Sequence, residues 1–499
     1  MLSQEKYYEY YRGFLQIFGK IKYKGISIAE CMQIPLYYFV KGYLKQGKIE
    51  KLRFNLERFK DVIRYYLWNR RISKTGTIAK NPHEIQMKES APDFTDIVAG
   101  KVVFLIQGNS TSAIKTLSNV WDLMDKDRYK VIANTSIHEA LKDKIKNFYN
   151  YEKLVSPIVL PNNLLNLYKK FKSTDGLTNT SVFNSMPFYF WLKARIVQIV
   201  YLIECMDRII LTNPAAIVTA DDTKPEGKIL TLLANLHNIK SFVIQHSFTF
   251  GDWNMSRLPV TSNYAFVYGE IDKKWYLEHG VPRSKLKVTG QPRLDDYFNK
   301  KPISREEFLK IIGLKEKAFN VVLATNPIGN KKNKILVETC YKGVRMTGKD
   351  VNFIIKLHPA ERRAFYESLT VKMANVSIIS YNDKMDIIDV LGNANLVITY
   401  HSNVGLEALL LGKLLIIANL FDEENPTDYC SSGVALCIKN AEELTKAINQ
   451  IQTDTKLVEE LDRKREMYLG KRIACRDGTA SQKVLTNILS LLTKGEKFL

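Results

Sequence analysis

Nine short apolar runs set the frame for this chain: residues 101–106 (KVVFLI), 129–133 (YKVIA), 216–220 (AIVTA), 241–245 (SFVIQ), 264–267 (YAFV), 321–324 (VVLA), 352–357 (NFIIKL), 395–399 (NLVIT) and 414–418 (LLIIA). Runs that are apolar throughout, rather than alternating with polar residues, read as strands buried on both faces, as in a parallel sheet. Stretches of helical character separate them, including a long one over 186–211. Repeated strand–helix–strand units give a parallel sheet with helices on both sides. The first series closes near Val288-Thr289-Gly290-Gln291-Pro292 and a second begins after it. The expected fold class is therefore α/β, with two Rossmann-like doubly wound domains in tandem. Ligands of such sheets sit outside the carboxyl ends of the strands, and two such domains place the natural site in the cleft between them.

A chain of 499 residues has length for about three domains of ~150 residues each. The composition shifts suggest a basic helical N-terminal extension over 1–95, a first Rossmann-like domain over 96–290, a second over 291–470 and a C-terminal helix over 471–499. Within the extension, residues 41–71 alternate apolar side chains with Lys and Arg, and 75–96 read as a polar linker. A basic amphipathic stretch of this kind either docks on the main body with a solvated face or lies on an anionic membrane surface. Lys and Arg outnumber Asp and Glu by 73 to 52, a net charge of +21, which favours anionic partners. The charge is spread without an Arg-rich tail, so nucleic acid is not an expected partner. The N-terminus lacks the apolar core of a signal peptide, and no run of about 20 uncharged apolar residues occurs. The six cysteines show no zinc-ligand or CxxC spacing and read as buried thiols of a reducing compartment. A cytoplasmic protein that spans no membrane is expected, with peripheral contact to the membrane's cytoplasmic face as the alternative placement of its N-terminal helices.

Four groups fall at carboxyl ends of the expected strands: Asp221/Asp222, His246, His358 and His401. The chain has only seven histidines, so three at equivalent topological places form a pattern. Histidine can accept the proton of an attacking hydroxyl near neutral pH. His246 is the candidate base, with Asp222 orienting it or taking its place. The other reading of the aspartates is a cap for the helix opened by Pro225. After the strand at 395–399 come Tyr400-His401-Ser402-Asn403 and a helix beginning Val404-Gly405-Leu406-Glu407. Ser402 reads as its N-cap, Gly405 as a place of close approach, and the helix start as a seat for phosphate. Glu407 is placed to accept hydrogen bonds from sugar hydroxyls. His358, with Lys356 before it and Arg362 and Arg363 after it, suits a diphosphate leaving group. No DxD pair, metal-ligand cluster, Walker sequence or GxSxG elbow accompanies these groups, so chemistry without a metal or cofactor is expected.

With these residues in view, the chain resembles the GT-B superfamily, especially the CDP-glycerol glycerophosphotransferase-like and capsule-polysaccharide glycosyltransferases. The resemblance runs from about residue 101 to the C-terminus. It rests on Gln245-His246, Val267-Tyr268-Gly269, Thr289-Gly290-Gln291-Pro292-Arg293-Leu294-Asp295, Lys356-Leu357-His358-Pro359, the run from Ser402 to Leu409, and Asp477-Gly478-Thr479-Ala480-Ser481. The resemblance implies that the second domain binds a nucleotide-sugar donor and the first presents a glycan or lipid-linked acceptor. It implies His246 as base, with His358, Ser402, Asn403 and Glu407 around the donor, and Lys356 and Asn326 beside them. The implied activity is metal-independent, inverting transfer of a sugar to a cell-surface polysaccharide or lipid-linked glycan. The alternatives are transfer of a polyol phosphate, sugar-nucleotide 2-epimerisation, and binding of glycan or nucleotide without catalysis. Two departures stand out. Ser247 replaces the glycine of the family's Gln-His-Gly, and the acidic catalytic set of the related epimerases is not evident.

Overall fold

The computed structural model describes residues 4–44, 54–56, 60, 98–108, 110–154, 182–183, 185–246, 258–348, 350–371, 373–383, 385–421 and 427–493. Most of the basic stretch at 41–71, the linker at 75–96 and the loop from Ser247 to Gly251 lie outside these residues.

After a two-stranded ribbon, β1 (Lys22–Tyr23) with β2 (Ile26–Ser27), the described chain builds two sheets. The first contains β3 (Val102–Leu105), β4 (Tyr129–Ala133), β5 (Phe148–Asn150), β6 (Ala216–Thr219), β7 (Lys240–Ile244), β8 (Tyr264–Val267) and β9 (Leu286–Val288). Its order is β5-β4-β3-β6-β7-β8-β9, parallel throughout. The second contains β10 (Phe319–Ala324), β11 (Val351–Lys356), β12 (Val376–Ile379), β13 (Leu396–Thr399), β14 (Leu414–Ala418) and β15 (Leu436–Ile438). Its order is β12-β11-β10-β13-β14-β15, also parallel. Both orders reverse direction after the first strand, between β3 and β6 and between β10 and β13. These are the switch points where doubly wound sheets open a crevice. The expected α/β class with two Rossmann-like domains is the observed one.

The alternation within each strand shows why the runs had to be apolar throughout. Val103, Leu105, Ile132 and Ile217 face one core of the first lobe, and Val102, Phe104, Val131 and Val218 face the other. In the second lobe Val321, Leu323 and Phe353 face one core, and Val322, Ile354 and Val397 the other. Side chains two apart share a face, so burial on both faces demands apolar residues at every position.

The N-terminal helices Gln4–Phe18 and Gln33–Tyr43 are docked. Tyr7, Phe14, Leu36 and Phe39 share a core with Trp191 and Ile199 of the helix Met186–Leu211. Lys24 reaches Asp207 at 2.6 Å and Glu204 at 3.0 Å on that helix. These two helices are thus packed on the first lobe, while most of the stretch at 41–71, for which docking and membrane contact are the two readings, lies outside the described residues. Among the described residues, no helix is long and apolar enough to cross a membrane.

Two findings differ from the sequence reading. Cys430 and Cys437 form a disulfide, while Cys31, Cys205, Cys340 and Cys475 are buried thiols. The turn before the edge strand β15 brings the two Cα atoms to 6.1 Å, a span that a disulfide bridges, and no sequence spacing signals it. The last helix, Ala480–Thr493, returns to the first lobe, where Val484, Leu485 and Ile488 complete the core beneath Phe104 and Phe242.

Candidate functional site

One strand beyond the switch point of the first sheet, His246 follows β7, half-buried, with Nδ1 2.7 Å from the Ala220 carbonyl at the end of β6. A carbonyl only accepts, so Nδ1 carries the proton and the lone pair of the neutral ring lies on Nε2. Asp222 does not provide this orientation. Its Oδ2 accepts from the backbone amides of Thr261 and Ser262, each at 2.8 Å, and its side chain is buried. Burial pushes the Asp222 carboxyl up, and those amides partly offset the push. Asp221 accepts from the Thr223 amide at 2.9 Å and the Thr223 hydroxyl at 2.7 Å, ahead of the helix Pro225–Leu236. Both aspartates therefore hold backbone, which corrects the expectation of an Asp222–His246 pair. A short side chain beside an unpaired turn amide satisfies that amide before it reaches a more distant ring.

At the carboxyl edge of the second sheet, β10 lies between β11 and β13, and its end joins the two neighbouring loops. Asn326 Nδ2 donates to the His401 carbonyl at 2.6 Å, and Asn326 is buried. Its expected contact with a donor is thus replaced by a clamp across the switch point. The Thr325 hydroxyl donates to Glu361 and accepts from the His358 amide at 3.1 Å. Glu361 also accepts from that amide at 3.1 Å and from Asn333 Nδ2 and the Tyr366 hydroxyl, each at 2.5 Å. This carboxylate fixes the His358-Pro359 turn. In the sequence it reads as one more charged residue in a basic turn.

His358 Nδ1 accepts from the Ala360 amide at 3.1 Å, so the ring proton lies on Nε2, in the opposite sense to His246. Burial lowers the His358 pKa, Lys356 lowers it further, and Glu361 opposes both. Burial likewise lowers the Lys356 pKa. A histidine whose folded pKa is depressed binds fewer protons folded than unfolded between that value and its ordinary value of about 6.5. Its contribution to stability is complete above the ordinary value and is lost as the pH falls through the window below it. Acid unfolding midpoints between pH 7 and 5 should therefore fall more steeply for wild type than for His358→Gln. Equal slopes would remove this assignment.

The helix Val404–Leu410 starts where expected, with Asn403 rather than Ser402 at the N-cap. Its opening amides are already used. The Val404 amide donates to Ser402 Oγ at 3.2 Å, Gly405 to the Ser402 carbonyl at 3.1 Å, and Leu406 to the Tyr429 hydroxyl at 2.9 Å. Gly405 makes room for Tyr429, since a Cβ there would lie 2.7 Å from its ring. The expected phosphate seat is closed, although Ser402 and Asn403 remain half-buried at the rim. Glu407 is buried and engaged at both oxygens, by Arg293 Nη1 at 2.6 Å and the Tyr297 hydroxyl at 2.7 Å. This corrects its placement against sugar hydroxyls. A buried carboxylate takes a cation and a donor from its own chain when they are present.

A different helix start offers the anion seat. The helix Asn330–Met346 follows β10, has Gly329 at its N-cap with no side-chain cap, and carries no acid in its first turn. Lys331 is exposed and Lys332 half-buried there. Lysines at a helix N-terminus oppose the dipole, and a bound anion relieves that conflict. The β10 strand ending before Gly329 was legible in the sequence; the lack of a cap was not.

The segment that crosses between the lobes ties the two edges together. Gln291 Nε2 donates to the Gln245 carbonyl at 3.2 Å, beside His246, and Gln291 Oε1 accepts from the Arg293 amide at 2.6 Å. Arg293 then reaches Glu407. The returning segment runs alongside: Gly290, at φ +81°, sits where a Cβ would come within 2.5 Å of Cys475 Cβ. Asp295 accepts from the amides of Ala480 at 2.9 Å and Ser481 at 2.7 Å. His246 and the Glu407 helix are thus joined through Gln291 and Arg293. Among the described residues, no group of three or more His, Cys, Asp or Glu side chains gathers as metal ligands would.

Residues 252–489 match the family model described as UDP-N-acetylglucosamine 2-epimerase. No curated protein matches the chain. Among solved structures, an assigned UDP-N-acetylglucosamine 2-epimerase from Listeria monocytogenes superposes with a TM-score of 0.54 at 16% identity, over 80% of this chain and 100% of that one. The UDP-GlcNAc 2-epimerase of Neisseria meningitidis, bound to UDP-GlcNAc, gives 0.51 at 16% identity, over 78% and 100%. That of Methanocaldococcus jannaschii gives 0.50 at 15%, over 79% and 99%. At such identities the likeness establishes the fold, which is of the GT-B type. It does not single out the CDP-glycerol or capsule transferases.

Proposed function

We propose that this chain is a GT-B-type enzyme of nucleotide-sugar chemistry, related to the sugar-nucleotide 2-epimerases. The second lobe holds the nucleoside diphosphate at the start of the helix Asn330–Met346, between Lys332 and the Nε2–H of His358. The sugar reaches toward His246 on the first lobe. The bond between the anomeric carbon and the diphosphate breaks, and its electron pair leaves with the phosphate. Neutral His358, Lys356 and the helix start receive that charge. The observation that carries this reading is the agreement of two things: a second lobe whose strand ends gather His358, Lys356 and an uncapped helix start, and the family-model match over 252–489.

The family-model match favours 2-epimerisation as the fate of the sugar. One observation favours the second reading, transfer to an acceptor hydroxyl. Inverting carbon 2 needs an acid and a base, and both aspartates at the end of β6 hold backbone. His246 alone suits the single proton taken from an attacking hydroxyl. Incubation with UDP-N-acetylglucosamine and no acceptor, followed by NMR of the sugar, separates them. A change of configuration at carbon 2 establishes epimerisation. A sugar unchanged until a glycan acceptor is added establishes transfer. If uridine, cytidine and guanosine diphosphate sugars all stay intact with and without acceptor, the proposal falls.

A further inference from the structure

Gln107 follows β3 at the switch point of the first sheet and is 8% exposed. Among the described residues, neither its Oε1 nor its Nε2 has a hydrogen-bond partner. A buried amide left this way keeps the full cost of its lost hydration, and folded proteins seldom leave one without a reason. The side chain faces a cavity of about 10 Å³ that Thr219, Ala220, Asp221, Lys224 and His246 also line. That is room for about one water-sized oxygen. The helix Pro225–Leu236, which follows β6, leaves space for the amide. At Gly227 a Cβ would lie 2.1 Å from Gln107 Nε2 and 2.0 Å from the Asp221 carbonyl oxygen.

We propose that this cavity is a subsite for one hydroxyl of the donor sugar, read by Gln107. The inference rests on the nucleotide-sugar reading above and adds the group that recognises the sugar. A hydroxyl is both donor and acceptor, so it can accept from Nε2 and donate to Oε1. The lining excludes charged groups. Asp221 disfavours an anion, and Lys224, 3.6 Å from Asp221, offsets its pull on a cation. Leu105, Ile106 and Leu117 add an apolar part to the lining. His246 lines the same cavity, so an oxygen seated there also sets the distance between the sugar and the candidate base. A site built to hydrogen-bond a hydroxyl rejects analogues that lack it, because its own polar groups are then left unpaired.

The test uses the full chain and calorimetry with UDP, CDP and GDP and with their sugar conjugates. Wild type should bind at least one conjugate more tightly than the bare diphosphate. Gln107→Met, close in size and without the amide, should lose about tenfold of that increment while its affinity for the bare diphosphate stays unchanged. The unchanged diphosphate affinity reports that the variant is folded. Should Gln107→Met fail to fold, Gln107→Glu fills the same space. Its increment should be lost at neutral pH and return toward acid pH as the carboxyl gains a proton. A full increment in the variant overturns the subsite, including where its melting temperature falls, which would mark the occupant as a buried structural water. Wild type that binds no conjugate removes the nucleotide-sugar reading and this inference with it, a result distinct from a variant that keeps its increment.

Discussion

Replacing His246 with alanine should lower kcat by about 10²- to 10⁴-fold, the usual contribution of a positioned base, and leave nucleoside diphosphate affinity unchanged. The expectation follows from the ring's placement. Nδ1 is fixed on the Ala220 carbonyl, so the basic nitrogen is held at one position, while Asp222 Oδ2 serves the Thr261 and Ser262 amides. Two consequences separate this arrangement from a His–Asp pair. Asp222→Asn should act mainly on stability, because the carboxylate it changes holds the Thr261 and Ser262 amides. His246→Gln should not rescue turnover, because an amide supplies no base near neutral pH. Steady-state kinetics on all three variants, with melting temperatures as the control, decide the matter. A His246→Ala enzyme within about tenfold of wild type would remove the histidine from the chemistry.

The largest expected loss of stability is at Arg293. Its guanidinium is 7% exposed, and its ion pair with Glu407 is equally enclosed. Burial works against its charge, but Tyr268 and Glu407 together hold its pKa above the usual arginine value. Arg293→Ala leaves a buried carboxylate with Tyr297 as its one remaining side-chain partner among the described residues, and breaking a buried pair in this way costs about 3–5 kcal/mol. The double variant Arg293→Met/Glu407→Leu removes both charges and fills much of the space, so it should recover most of that loss. Urea unfolding of the two single variants and the double variant checks this. If the double variant were as unstable as the sum of the singles, packing rather than charge would be the source. Because Arg293 lies on the crossing segment and Glu407 on a second-lobe helix, the single variants should also loosen the lobes relative to each other.

The central strands were legible because each is apolar at every position, and the long helix Met186–Leu211 matched its expected bounds. Within the two parallel sheets, the four strands that the sequence did not reveal, β5, β9, β12 and β15, are the four sheet edges. Each is three or four residues long and half-exposed on part of its length; Asn150, Lys287 and Ser377 put a polar residue into β5, β9 and β12, whereas β15 lies in an apolar run over 434–438. The site divides in a similar way. Histidines at strand ends follow from topology, and the structure sets His246 and His358 there with opposite tautomers. Side-chain partners do not follow from topology. Glu407, Asn326 and Asp222 each looked exposed to a ligand, yet each is engaged by a group distant in sequence or by a nearby turn amide. Gln107 was hidden for the opposite reason: its significance lies in having no partner, which only packing can show.

The return of the last helix to the first lobe bears on how the protein is made. A ribosome releases the strands of the first sheet long before it reaches Val484, Leu485 and Ile488, which finish one face of that sheet's core. Domains made first usually fold first. Here the earlier half must wait, with an uncovered apolar surface, while the entire later half is synthesised. During that interval the nascent chain is a natural client for chaperones, and a premature stop shortly before residue 480 would leave both halves nearly intact in sequence but the earlier one unfinished.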